Sequence, residues 1–215
     1  EVRPLELASA YAAFANGGYR SDPIAILKVT DPKGKVLFEQ KEVDKKRVLS
    51  PEVAFIISHI LLDNNARLIT FGVNSYLNMG SRAVAVKTGT TDDKRDNWTI
   101  GWTPSILVAT WVGNNDNSPM GDVASGVTGA APIWRRIILE ALKNKPFEEF
   151  VRPDNVVAIT VDSLGGGLPV DGQSTRSEYF IKGTDPQGPS PIYKTIKVSK
   201  ADTNKVASLS EIEKN

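Results

Sequence analysis

Cysteine is absent from the 215 residues and histidine occurs once. The first absence excludes disulfides, cysteine-ligated zinc, iron–sulfur clusters and thiol catalysis. The second argues against a Ser-His-Asp triad and against a multi-histidine metal site. No apolar run approaches the roughly 20 residues that span a bilayer, and no signal-peptide pattern opens the chain. Charge of one sign is missing too. Lys and Arg number 26 against 25 Asp and Glu, so nothing in the +1 balance draws the chain to nucleic acid. What remains is 40% hydrophobic and 24% charged, the composition of a globular chain and not of a coiled coil, a collagen-like rod or a disordered tail.

The hydrophobic pattern supplies an element order. Pro4 suits a first helical turn, Leu7, Tyr11, Phe14 and Ala15 recur at helical spacing, and Asn16-Gly17-Gly18 stops the helix. Residues 26–30 and 36–39 flank Asp31-Pro32-Lys33-Gly34 and read as a hairpin. Ser50-Pro51-Glu52 opens an apolar helix that ends near Asn64-Asn65, and Ala66 to Arg82 reads as a loop with one helical turn. Three strands are expected next, at Ala83–Thr91, Asn97–Trp102 and Ile106–Gly113, with Thr103-Pro104-Ser105 as the turn between the last two. Asn114 to Ser125 is a polar loop. Pro132 then opens a helix whose Ile133, Trp134, Ile137, Ile138, Ala141 and Leu142 form one stripe, predicting that it covers one face of the sheet. One further short strand, Val156–Val161, stands in Pro- and Gly-rich surroundings, and the last residues are polar. The fold class predicted is α/β of the α+β type, an antiparallel sheet packed with helices.

Lys87-Thr88-Gly89-Thr90-Thr91 is the stretch richest in chemistry. It offers an ammonium, several hydroxyls and a glycine that blocks nothing, all at the end of a strand. A strand edge there leaves N–H groups for an oxyanion or for a peptide laid alongside as an extra strand. Alternation puts Thr88 and Thr90 on one face and Lys87 on the other. Taken alone the tripeptide also fits an ordinary strand end.

Its flanks say more. Val86 to Asp92, Asp96-Asn97-Trp98-Thr99-Ile100-Gly101-Trp102-Thr103-Pro104 and Ala109-Thr110-Trp111-Val112-Gly113-Asn114 closely resemble the transpeptidase domain of class A penicillin-binding proteins. Pro4 to Gly18, Ala131-Pro132-Ile133-Trp134 and Glu178 to Pro186 are similar to the same family in the same order. The family's fold is β-lactamase-like, and its site joins Ser-x-x-Lys, Ser-x-Asn and the Lys-Thr-Gly strand. Only the third occurs here, so the chain is expected to be the incomplete, C-terminal half of that domain (1–146), followed by a small β-rich appendage (147–198) and a polar tail (199–215). Val86 stands where the family commonly has glycine.

The resemblance implies a D,D-transpeptidase that cross-links peptidoglycan through a serine acyl-enzyme and is the target of β-lactams. Lys87, Thr88, Gly89, Thr90 and Thr91 would bind substrate. Lys87 would attract the carboxylate, the hydroxyls of Thr88 and Thr90 would hold it, and the backbone N–H of Thr90 would form half of the oxyanion hole. Implied partners are peptidoglycan stem peptides, β-lactams and the half of the domain that carries the missing motifs. No cofactor, metal or nucleic acid is implied, the setting is extracytoplasmic, and any membrane attachment belongs to the parent protein. Half a domain is also expected to expose apolar surface and to associate. A class A β-lactamase fits less well, because more than half of the chain follows Gly89. A non-enzymatic β-lactam receptor or peptidoglycan-binding module stays open as the alternative.

Other features read as structure. His59 lies on an apolar helix without a second ligand, and Asn114-Asn115-Asp116-Asn117 lacks the spacing of a calcium loop. Gly165-Gly166-Gly167 precedes Leu168-Pro169 and so makes a turn, with no helix to support a phosphate. Trp98 and Trp102 are core residues by default, with the cleft as their other possible place.

Overall fold

A computed structural model of the chain describes residues 2–121, 125–170, 172–193, 196–199 and 202–208. The end of the expected polar loop (122–124) and most of the expected polar tail lie outside these residues. The chain divides into two compact units, Glu1–Asn155 and Val156–Asn215.

In the first unit, α1 (Pro4–Ala15) has proline at its first turn. Strands β1 (Tyr19–Ser21), β2 (Lys28–Thr30), β3 (Val36–Glu39) and β4 (Lys45–Arg47) follow as two antiparallel pairs, β1 with β4 and β2 with β3. The β2–β3 turn is tied by Asp31, whose Oδ1 accepts from the N–H groups of Lys33 and Lys35, each at 2.9 Å. The β1–β4 pair was not expected: each strand is three residues long and neither alternates, so only the distant partner makes them strands. Next, α2 (Pro51–Leu62) is capped as its sequence suggests, the Ser50 hydroxyl accepting from Val53 N–H at 3.3 Å.

The segment expected to be a loop contains a further helix, α3 (Asn64–Phe71). It buries no residue, and Ile69 is 99% exposed, so no apolar stripe announces it. Capping sustains it instead. Asp63 Oδ1 accepts from Asn65 N–H at 2.8 Å and Ala66 N–H at 3.3 Å, while Arg67 donates to the carbonyls of Leu61 and Leu62 at the end of α2.

The expected sheet is present. Strands β5 (Ala85–Thr90), β6 (Asp96–Trp102) and β7 (Leu107–Gly113) run antiparallel in that spatial order. The register pairs Val86, Thr88 and Thr90 with Gly101, Thr99 and Asn97, so these six share one face. Ala85, Lys87 and Gly89 share the other with Trp102, Ile100 and Trp98. On the first face lies α4 (Ala130–Leu142), whose buried Trp134, Ile138 and Leu142 pack with Val84, Val86, Leu77 and Met79. Gly101 is required there: a Cβ would stand 2.4 Å from Trp134 Cζ2. On the second face Trp102 packs with Tyr11 and Phe14 of α1, at ring-centroid distances of 5.6 and 6.0 Å, and its Nε1 donates to Ser58 of α2 at 3.1 Å. Trp102 and Trp134 are both fully buried. Each removes roughly 200 Å² from water, worth about 5 kcal/mol before the entropy of ordering. That outweighs the ~1 kcal/mol of the indole hydrogen bond, so packing of helices on both faces holds the sheet.

The helix expected from Pro132 begins two residues earlier, at Ala130. Its cap comes from the sheet: Asn97 Oδ1 accepts from Ala130 N–H at 2.8 Å. Its outer face leaves Ile133, Ile137 and Leu139 exposed.

In the second unit, β8 (Val156–Asp162) pairs antiparallel with β9 (Thr175–Ile181). β9 was missed in the sequence because charged residues and aromatics succeed one another there without alternation. Gly165 to Gly167 turn tightly against Ser190, and a Cβ on Gly165 would overlap its Oγ at 1.6 Å. Asp162 is fully buried beside this turn. Burial pushes its carboxyl up, but the N–H of Gly165, the hydroxyl of Tyr193 at 2.9 Å, the N–H of Leu164 and the charge of Arg176 outweigh burial and leave it below the usual range. Burial, and then the Asp162 carboxylate, push the Tyr193 phenol up.

The signs give two limits. A depressed acid stabilises above its unfolded value, about 3.9, and the benefit is lost as pH falls through the folded value. A raised phenol stabilises below about 10, and the benefit is lost as pH rises through its folded value. Amide exchange protection of β8 and β9 is therefore expected to stay level across neutral pH and to fall at both extremes. Asp162→Asn should remove the acid limb. Loss of protection between pH 7 and 5 in the unsubstituted chain would contradict this.

Candidate active-site strand

β5 is an outer strand, hydrogen-bonded to β6 alone. Thr91 N–H donates to Asp96 O at 3.1 Å just beyond the last pair. In an antiparallel ladder every second residue faces the partner. The odd-numbered residues of β5 therefore bond towards β6, and Val86, Thr88 and Thr90 direct their N–H and C=O groups to the open edge. Two of these carbonyls have side-chain donors. Arg67 Nη1 donates to Val86 O at 3.2 Å, and Lys87 Nζ donates to Thr88 O.

The five residues singled out in the sequence thus lie together, but not on one face. Lys87 is exposed on the side that carries α1 and α2, and Thr88 and Thr90 project to the side of α4. Thr91 closes the β5–β6 turn: its Oγ1 accepts from Asp96 N–H at 2.9 Å and donates to Asp96 O at 3.1 Å. Gly89 sits opposite Trp98. Beyond the strand's end a groove is lined by Thr90, Thr91, Trp98, Trp111, Asn114 and Asn117 among others. Trp111 is oriented there by a 3.0 Å bond from its Nε1 to Asp96 Oδ2. Of the two tryptophans weighed for the cleft, Trp98 lines this groove, whereas Trp102 is buried in the core.

Three contributors to this edge were not picked out from the sequence. Arg67 on α3 ties the end of α2 to β5, donating to Leu61 O, Leu62 O, Asn64 Oδ1 and Val86 O. Burial pushes its guanidinium down from its ordinary value, offset in part by the charge of Asp63. Gly126, before α4, lies over the threonine face: its N–H donates to Thr90 Oγ1 at 2.9 Å and its carbonyl accepts from Thr99 Oγ1 at 3.1 Å. Asn97 holds the next turn by capping α4. None of the three stands next to the Lys-Thr-Gly run, and only the fold brings them to it. A glycine shortly before a helix was the one local signal.

Among the described residues no three His, Cys, Asp or Glu side chains converge as a metal site would need, and no helix is long and apolar enough to cross a membrane. His59 stacks on Phe55 with ring centroids 5.8 Å apart. Asp116 accepts from the N–H and hydroxyl of Ser118, which makes the Asn114–Asn117 stretch a tied turn.

Known proteins resemble this chain along nearly its whole length. Penicillin-binding protein 1A of Clostridium botulinum is 35% identical over 214 residues, covering 96% of this chain and 25% of that protein. The crystal structure of penicillin-binding protein 1A from Haemophilus influenzae superposes with a TM-score of 0.74 at 29% identity, covering 87% of this chain and 33% of the other. Penicillin-binding protein A from Mycobacterium tuberculosis, solved as its penicillin G acyl-enzyme complex, superposes with a TM-score of 0.51 at 25% identity, covering 66% of this chain and 32% of the other. The chain spans about a quarter of the length of the curated relatives it matches. Residues 152–195 match the C-terminal domain of penicillin-binding protein 1A, and residues 1–139 match the penicillin-binding protein transpeptidase domain. With the Lys-Thr-Gly strand at the sheet edge and most of the chain matched, the chain belongs to the penicillin-binding protein transpeptidase family.

Proposed function

We propose that these residues form the carboxylate-binding side of a peptidoglycan D,D-transpeptidase. A serine outside residues 1–215 attacks the penultimate D-Ala carbonyl of a donor stem peptide, the C–N bond breaks, and the terminal D-Ala leaves. An acceptor amine then takes the acyl group from the serine ester. Lys87 attracts the terminal carboxylate, the hydroxyls of Thr88 and Thr90 bind it, and Gly89 and Thr91 shape the strand end. The N–H of Thr90 supplies one oxyanion donor, a contribution of about 3 to 4 kcal/mol in comparable sites.

The observation that carries this reading is the open edge of β5. It combines outward-directed N–H groups with an exposed ammonium and two hydroxyls within four residues. The penicillin G acyl-enzyme of the Mycobacterium tuberculosis relative supports β-lactams as ligands. Stem peptides in an extracytoplasmic setting are the matching natural substrates.

Neither Ser-x-x-Lys nor Ser-x-Asn occurs in the 215 residues. Labelling the complete polypeptide with a fluorescent penicillin tests the assignment. The label is expected on one serine outside residues 1–215, together with release of D-Ala from a D-Ala–D-Ala stem peptide. Labelling without release would instead support a β-lactam receptor, and no labelling would overturn both.

A further inference from the structure

We propose that Gly126 is a positioning residue that turns the Thr90 hydroxyl proton towards the open edge of β5, and so makes the site favour a carboxylate over a neutral group of the same shape. The inference rests on the transpeptidase reading. A threonine hydroxyl can donate once and accept through two lone pairs, so in solvent it serves donors and acceptors alike. Here the backbone biases that choice. Gly126 N–H can only donate, and it donates to Thr90 Oγ1 at 2.9 Å. The Thr90 proton must then point elsewhere, and Thr90 is exposed at the open edge of β5. A hydroxyl that already accepts is also polarised into a stronger donor. An anion arriving at this edge meets a proton, whereas an incoming donor finds one of the two lone pairs already taken.

The stretch from Gly126 to Ala130 is held at both of its ends. Thr99, fully buried, donates to Gly126 O at 3.1 Å, and Asn97 takes Ala130 N–H at 2.8 Å. Ser125 O accepts from Gly129 N–H at 2.7 Å. There is no room for a side chain at position 126, because a Cβ would stand 2.9 Å from Thr88 Cβ, 3.2 Å from Gly89 O and 3.4 Å from Thr90 Oγ1. An alanine there must shift the loop or Thr88 by a few tenths of an ångström, which weakens the 2.9 Å bond that orients Thr90.

The test compares acylation of the complete polypeptide by a penicillin and by its methyl ester. The unsubstituted protein is expected to prefer the acid. Gly126→Ala should reduce that preference roughly tenfold, the scale of one hydrogen bond to a charged group, by slowing reaction with the acid and hardly that with the ester. Thr90→Val should lose the same preference, and adding Gly126→Ala to it should cost the preference nothing more. If Gly126→Ala does not fold, the contrast between Thr90→Val and Thr90→Ser carries the test, with Ser retaining the preference. Equal slowing of acid and ester by Gly126→Ala would show a merely structural role and overturn the inference while leaving the transpeptidase reading intact. Absence of any acylation of the unsubstituted protein would overturn both.

Discussion

Lys87→Ala in the complete polypeptide is expected to slow acylation by a β-lactam by about 30-fold at least, and by as much as a few thousand-fold. Truncating one member of a desolvated charge pair typically costs ~2 to 5 kcal/mol, and each 1.4 kcal/mol is a factor of about ten. Lys87 turns back on its own strand. Its Nζ donates to the carbonyl of Thr88, and among the described residues no carboxylate lies within ion-pair distance of it. The side chain is exposed on its face of the sheet, so no packing explains its place. A ligand carboxylate can therefore meet an ammonium that need not be taken from an existing ion pair. Stability should change little, because substitutions at exposed positions usually stay within about 0.5 kcal/mol. Lys87→Arg should restore part of the rate, since it keeps the charge but replaces a compact ammonium with a planar fork. Measured rates of penicillin acylation, with thermal unfolding as the control, decide the matter. A near-wild-type rate for Lys87→Ala would refute its role.

The sequence was most readable where each element carries its own signal. Ser50 and Pro51 announce α2 because a cap and a fixed φ act within one turn. β6 and β7 were legible because an apolar run meets Thr103-Pro104-Ser105, and Thr103 N–H indeed bonds to Ile106 O at 2.8 Å to close that turn. Elements held from a distance were not legible. α3 is sustained by Asp63 and by Arg67 reaching the end of α2, so its own residues need no apolar period. The cap of α4 is Asn97, 33 positions earlier in the chain, which is why Pro132 was mistaken for its first residue. The same division runs through the strand edge. Lys87 to Thr91 could be picked out as a contiguous run, whereas Arg67 and Gly126 reach that run only through the pairing of β5 with β6 and the seating of α4.

Incubated with a penicillin, the 215-residue chain on its own is expected to keep its mass. Acylation requires a nucleophile and a base that takes its proton, and an unassisted hydroxyl is a weak nucleophile. Three hydroxyls stand at the motif. Thr91 Oγ1 is engaged by both backbone groups of Asp96, accepting at 2.9 Å and donating at 3.1 Å, so attack would open the β5–β6 turn. Thr90 Oγ1 already spends a lone pair on Gly126 N–H. Thr88 lies on the opposite face of the strand from Lys87, the one amine in the run, and an ammonium has no lone pair with which to take its proton. His59 is on α2, stacked on Phe55. In the proposed assignment the strand edge holds the carboxylate, and the nucleophile and base that make and break the acyl bond lie outside residues 1–215. Intact-mass measurement of the isolated chain and of the complete polypeptide, under the same penicillin, is the test. The complete polypeptide should gain one ligand mass and the chain none. A one-ligand increase that maps to any residue from 1 to 215 would overturn the division of labour between β5 and the serine assigned to the rest of the protein.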